Sequence, residues 1–277
     1  MTLKLDGPLL LAGAGKMGGA LLSGLFARGL DPKLVRVQDP NPPPEVATML
    51  AQHGVTVEPE IADLDRPPDV LLAAVKPQVM EAVFPRLAGL AGPRTVTLSI
   101  AAGRNLASFA AHLAPGAAVV RAMPNTPAAV GRGMTVCVAN GHVTAQQKAL
   151  CDELMSAVGQ VAWIDDESLM DAVTAVSGSG PAYIFLLTEC LAQAGIAAGL
   201  EPGLATTLAR ATVAGSGELV HHAATDAATL RRNVTSPGGT TEAALKVLMR
   251  SEGGLQDLMS EAVEAATARG RELAQGK

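Results

Sequence analysis

Residues 9–22 read LLLAGAGKMGGALL: an apolar run breaks into Gly13-x-Gly15-x-x-Gly18 and resumes at helical spacing with Leu21, Leu22 and Leu25. Three glycines so spaced between a strand and a helix specify a tight turn at Gly13, room for a pyrophosphate at Gly15 and close helix-to-strand packing at Gly18. The phosphates then sit on the helix N-terminus. Ala14, Lys16 and Met17 fill the loop and share its expected phosphate contacts. Alone the pattern is weak, but at the head of an alternating α/β segment it becomes a dinucleotide signature.

Such a segment follows. Short apolar runs at 8–12, 34–38, 70–75, 95–100, 117–122 and 134–139 alternate with helical patterns, the rhythm of a parallel sheet with crossover helices. A further run at 160–164 precedes Asp165. Beyond it no strand pattern appears, and 169–176, 183–199, 203–221, 241–250 and 255–273 read as helices. The fold class is α/β: an N-terminal Rossmann-type dinucleotide-binding domain, residues 1–165, followed by an all-helical C-terminal domain, residues 166–277. Residues 183–200 are more apolar than a surface helix needs, which predicts burial against a helix of a second subunit.

Composition excludes several classes. The chain has 277 residues, 48% of them apolar, enough for a substantial core and two domains. A net charge of -5 without any run of Lys or Arg gives no footprint for nucleic acid or an acidic membrane. No segment reaches about eighteen uncharged apolar residues, 181–200 being interrupted by Glu189 and Gln193. The glycines cut the N-terminal apolar stretch too early for a signal peptide, so the expected location is the cytoplasm. Cys137, Cys151 and Cys190 lie far apart in apolar company, and His221 and His222 lack a third ligand at fitting spacing. No disulfide framework or metal site is expected.

Ligands of such sheets bind outside the carboxyl ends of the strands. Asp39 stands where an acid meets the adenosine ribose, accepting from a 2′-hydroxyl and repelling a 2′-phosphate; it also suits a turn before Pro40, and Arg36 or Lys33 could reach round. Lys76 and Pro77, and Asn125 and Thr126, leave two further strands and are candidates for the nicotinamide ribose wall; without the glycine signature upstream, Lys76 would read as a solvated lysine. In the stretch AVSGSGPAYIF, Gly178 and Gly180 make either a turn before Pro181 or a loop that admits a ligand. Ser236, Gly238, Gly239, Thr240 and Thr241 likewise precede a helix, as a carboxylate site or as an elaborate N-cap. Arg231 and Arg232 read as a solvated pair, and Asp165, Asp166 and Glu167 as charges at a helix start.

The stretches DAVTAVSGSGPAYIF and NVTSPGGTTEAAL, with AVKPQ, SIAAG, MPNTP and the glycine signature in that order along nearly the whole chain, resemble the pyrroline-5-carboxylate reductases. The resemblance implies reduction of L-1-pyrroline-5-carboxylate, a cyclic imine carboxylate, to L-proline by NAD(P)H, in a homodimer that in many such proteins builds rings of dimers. Asp39 leans the cofactor toward NADH. Ser177, Gly178, Ser179 and Gly180 are carried over as active-site wall, and Ser236, Gly238, Gly239 and Thr240 as the substrate pocket. Thr241 is the hydroxyl for the imine nitrogen. Lys76, Pro77, Ala101, Ala102, Gly103, Asn125 and Thr126 are cofactor contacts. Two alternatives are a reductase of a related cyclic imine and a β-hydroxyacid-dehydrogenase-like oxidoreductase. The latter places a catalytic lysine one turn after the glycines, where this chain has Ile184, and 181–200 holds neither lysine nor histidine. A silent dinucleotide sensor, the third reading, would not need the hydroxyls of 236–241.

Overall fold

All seven apolar runs become strands, and one more appears. The computed structural model describes residues 4–274, apart from the side chains of Pro77 and Ala274. In chain order the regular elements are β1 (Leu9–Ala12), α1 (Lys16–Ala27), β2 (Val35–Gln38), α2 (Pro44–Gln52), β3 (Val57–Glu58), β4 (Val70–Ala73), α3 (Pro77–Ala88), β5 (Val96–Ser99) and α4 (Leu106–Ala110). Then come β6 (Ala118–Met123), β7 (Gly133–Ala139), α5 (Ala145–Met155), β8 (Gly159–Trp163), α6 (Met170–Val173), α7 (Gly180–Ala197), α8 (Pro202–His222), α9 (Ala227–Asn233), α10 (Thr240–Leu248) and α11 (Leu255–Ala274). The described chain divides into two compact units, 4–178 with 267–274, and 179–266.

In the first unit the strands form one sheet, ordered β3-β2-β1-β4-β5-β6-β7-β8. The chain steps outward from β1 to β2 and β3, then crosses back to β4 on the other side of β1, so the connections diverge between β1 and β4. That divergence opens a crevice at the strands' carboxyl ends. β1 and β4 are wholly buried because helices cover both faces of the sheet, and alternate residues serve opposite cores. Leu9, Leu11, Val70 and Leu72 pack with Leu21, Leu22 and Leu25 of α1, whereas Leu10, Leu71 and Ala73 pack with Met80, Phe84 and Leu87 of α3. Phe84 meets Phe109 of α4 edge-to-face, centroids 5.0 Å apart.

Two strands depart from the expected parallel sheet: β7 runs antiparallel to β6, with Met123 opposite Val136, and β8 shares the direction of β7. Residues 124–132, folded as a single short 3-10 turn at Thr126–Val130, are too few for a crossover, whereas α5 gives β8 the length to return parallel to β7. Inside β6, Arg121 is buried and its guanidinium meets Glu167 at 3.0 Å; the same carboxylate oxygen accepts the Leu106 N–H at 2.8 Å. Glu167 thus does more than charge a helix start: it neutralises a buried cation in the middle of the sheet.

The second unit has almost no interior of its own. Its buried apolar residues are alanines, Ala192 on α7 and Ala205 and Ala209 on α8, and a Cβ on Gly195 would lie 3.3 Å from that of Ala205. Small residues let these two helices approach closely, but they bury little apolar area. Phe185 and Leu219 remain 61% and 65% exposed, with Ile184, Leu186, Leu204 and Leu208 also open. A face of this size calls for a covering partner.

Removing Glu167 leaves the Arg121 charge buried and unpaired. Glu167→Ala is expected to cost about 2–3 kcal/mol in urea unfolding at fixed protein concentration. Glu60→Ala, which breaks the solvent-exposed pair with Arg86, should cost less than about 1 kcal/mol.

Candidate functional site

The three signature glycines have three distinct surroundings. Gly13 sits at φ +94°, and a Cβ there would come within 2.8 Å of the Ala74 carbonyl and the Val75 nitrogen, the backbone leaving β4. A Cβ on Gly18 would run into the Gly13 carbonyl oxygen, so only glycine lets α1 approach the end of β1 this closely. At Gly15 a Cβ would meet nothing within 4 Å. No side chain caps α1, and its first backbone bond is from Gly19 to Gly15, at 2.8 Å. The amides of Lys16, Met17 and Gly18 therefore face the open space beside Gly15, a cradle that fits a pyrophosphate in shape and polarity.

The other expected cofactor contacts of this unit gather on the same edge, because β1, β2, β4, β5 and β6 all run parallel. Asp39 follows β2, and its two carboxylate oxygens accept N–H groups, from Ala14 at 2.7 Å and Asn41 at 2.8 Å. It ties the glycine loop to the second strand and shapes the turn before the prolines at once. Arg36 does not reach round; its guanidinium pairs with Glu58 on β3 at 2.6 Å. Lys76 is exposed just before α3, and the Pro77 side chain lies outside the described residues. Ala101 is buried, with its N–H on the Ser99 hydroxyl at 3.2 Å, while Ala102 is exposed and Gly103 turns at φ +71°. Thr126, exposed, opens the 3-10 turn that Asn125 precedes.

The SGSG stretch is neither a turn nor a loop. Thr174–Gly178 is one wide π-helical turn, Ser179 has right-handed helical angles, and α7 begins at Gly180. Gly178 has no positive φ; its missing side chain matters because a Cβ would lie 2.7 Å from the Met123 methyl at the end of β6. Ser177 accepts from the Asn125 side-chain amide at both its carbonyl and its hydroxyl, 3.2 Å each. Sequence patterns of glycine and serine favour a loop, and this tertiary contact overrides them.

In the second unit, Ser236–Thr241 does form a turn at a helix start. Gly238 takes φ +69°, Gly239 precedes α10, and neither Thr240 nor the half-buried Thr241 caps the helix. Ala243 makes the first helical bond, to Gly239, which leaves the Thr240, Thr241 and Glu242 amides without a backbone partner. Sequence reasoning missed Glu242, whose carboxylate accepts the Gly238 N–H at 2.5 Å and pairs with Lys246. These bonds, the Gly238 amide first, hold its carboxyl below the usual range. A glutamate at the third helical position is a legible signal for such a reach back to the turn.

Two of the three thiols, Cys137 and Cys151, are buried, whereas Cys190 is exposed. Burial pushes the Cys151 thiol up to about 12 and raises that of Cys137 as well, so neither is a nucleophile near neutral pH. Among the described residues no group of three His, Cys, Asp or Glu could hold a metal.

The cradle and the sheet order define a Rossmann-class dinucleotide-binding protein that carries a separate helical unit. Residues 9–103 match the family model for coenzyme F420-dependent NADP oxidoreductases, and 167–273 match that for pyrroline-5-carboxylate reductase dimerisation. A pyrroline-5-carboxylate reductase of Pseudomonas aeruginosa is 41% identical over 263 residues, 95% of each chain. The structure of one from Coxiella burnetii superposes with a TM-score of 0.88 at 34% identity, covering 98% of this chain and 99% of that one. The Plasmodium falciparum pyrroline carboxylate reductase, solved with NADP bound, gives 0.77 at 27% identity over 99% and 100% of the two chains. The chain belongs to the pyrroline-5-carboxylate reductase family. Its dimerisation region is the helical part whose apolar faces are open in a single chain, and the protein is a dimer.

Two glycine substitutions separate fold from binding. Gly15→Val should leave the melting temperature nearly unchanged but weaken dinucleotide binding, followed by fluorescence titration, by about tenfold or more. Gly18→Ala forces a methyl onto the Gly13 carbonyl and should destabilise the protein by about 1–3 kcal/mol.

Proposed function

We infer that this protein reduces L-1-pyrroline-5-carboxylate to L-proline with NAD(P)H, the last step of proline biosynthesis. The observation that carries the reading is the pairing, in one chain, of a dinucleotide cradle with an uncapped, hydroxyl-lined helix N-terminus at α10. Residues 1–165 serve as the dinucleotide domain, and 166–277 bind substrate and dimerise. No helix among the described residues is long and apolar enough to cross a membrane; we place the protein in the cytoplasm. Larger rings of dimers fit the extent of the exposed apolar surface.

The cofactor's reduced nicotinamide supplies the hydride. Around it this chain binds and orients. The amides of Lys16, Met17 and Gly18 take the pyrophosphate, and Asp39 faces the adenosine ribose. Lys76, Pro77, Ala101–Gly103, Thr126 and the backbone of Asn125 line the remaining cofactor wall. Ser177–Gly180 wall the imine. Ser236, Gly238, Gly239 and Thr240 hold its carboxylate with backbone N–H groups and hydroxyls, since an anion is stabilised at a helix N-terminus. Thr241 Oγ1 hydrogen-bonds the imine nitrogen and relays a proton to it from water. A cyclic imine is basic enough to arrive partly protonated, so a hydroxyl is sufficient where an alcohol dehydrogenase needs a strong base.

NADH is the preferred donor in this reading. The Asp39 carboxylate repels a 2′-phosphate, and Arg36, the nearest cation in the second strand, is engaged by Glu58.

Consumption of NADH and of NADPH with pyrroline-5-carboxylate, against 3-hydroxyisobutyrate plus NAD as counter-assay, tests the activity; silence with the imine under both cofactors would end it. Thr241→Ala should lower kcat/KM by about a hundredfold, at the low end of what a proton-transferring group contributes; near wild-type turnover would remove Thr241 from the reaction. Asp39→Ser should shift the kcat/KM ratio toward NADPH, and an unmoved ratio would leave Asp39 its loop-holding part alone.

A further inference from the structure

We propose that Asn125 is a positioning residue for imine reduction, acting through the π-helical turn at Thr174–Gly178 and not through the cofactor. The inference rests on the reading that Ser177–Gly180 wall the imine. Asn125 stands where β6 ends, among the expected cofactor contacts, but its side chain is engaged elsewhere. Its Nδ2 donates to the Ser177 carbonyl and hydroxyl, both at 3.2 Å, and its Oδ1 accepts the Met134 N–H at 2.8 Å. One amide therefore joins the end of β6, the start of β7 and the wide turn.

The Ser177 carbonyl needs such a donor for a covalent reason. In an α-helix it would accept from the residue four positions on, which is Pro181, and proline has no N–H. A half-buried carbonyl is thus deprived of its helical partner by the sequence itself, and the Asn125 amide replaces it. The Gly178 backbone, packed against the Met123 methyl, holds the same turn from another side.

A π turn is rare and carries one residue more than the regular helix would. If it relaxed to an α turn, the wall residues would rotate by about 100° around the helix axis and slide by about 1.5 Å. That misplacement degrades the approach of imine to hydride but leaves the glycine cradle on β1 untouched. The two effects are measurable separately.

The test uses the full-length dimer. Asn125→Asp keeps an acceptor for the Met134 N–H and turns a carboxylate oxygen toward the Ser177 carbonyl. Expected is a fall of about tenfold or more in kcat for pyrroline-5-carboxylate, with the Kd for NADH changed by less than about twofold. Ser177→Ala, which loses only the hydroxyl bond and is a small change for the fold, should lower kcat by about threefold. The double variant should be no slower than Asn125→Asp alone, because both changes break one interaction. A weakened Kd for NADH with kcat preserved, or losses that multiply in the double variant, overturns the proposal. If Asn125→Asp does not fold, Ser177→Ala decides, with an unchanged kcat counting against it. A wild-type protein silent with the imine refutes the functional reading instead, and the positioning role with it.

Discussion

The first unit depends on how closely the Gly13 carbonyl approaches Gly18, where an added Cβ would fall onto that oxygen. That approach fixes how near α1 lies to β1, and the rest of the first unit follows from that distance. Held there, α1 aims its first amides into the crevice, and the chain leaves toward β2 and β3 before it must return across β1 to β4. The backbone after β4 then passes so close to Gly13 that no side chain fits between them. A methyl group at either glycine would force apart the two connections that frame the crevice.

Several carboxylates of this acidic protein are spent on its own backbone. Asp39 accepts from the glycine loop, Glu167 from Leu106, Glu242 from the Gly238 turn and Asp226 from Thr229 at the start of α9. Each fixes the shape of a turn that a flexible sequence would otherwise leave loose. The starts of α1 and α10 carry no side-chain cap, which leaves their peptide dipoles available to an anion. A net charge of -5 is no obstacle to that arrangement.

Where the cause of structure is local, the sequence discloses it. The glycine signature, the buried strands and the long helices were all legible, since each follows from spacing within a few residues. β3 was not, because two residues carry no period; it is kept in place by pairing with Val37 and Gln38 and by the Arg36–Glu58 contact. α9 was missed for the same brevity, although Asp226 caps it. The direction of β7 depends on connection length, which periodicity does not report. The SGSG stretch misled most, since Asn125, whose side chain bonds its first residue, lies 52 positions earlier. At the site, the residue types and their strand-end positions could be read in advance, but not the bonds that occupy Asp39, Arg36 and Asn125.

The first unit is interrupted in sequence: 267–274, the last turns of α11, belong with the sheet, and a side chain on Gly270 would lie 3.1 Å from the Asp171 carboxylate. This sets an order of events during synthesis. The whole sheet leaves the ribosome well before α11 is complete and folds first, with the place over Asp171 still vacant. The helices from 179 onward emerge next, their apolar faces bare. Closure of the first unit and capture of a second chain are therefore both late steps, and the interval between them is when a nascent copy is most exposed to aggregation.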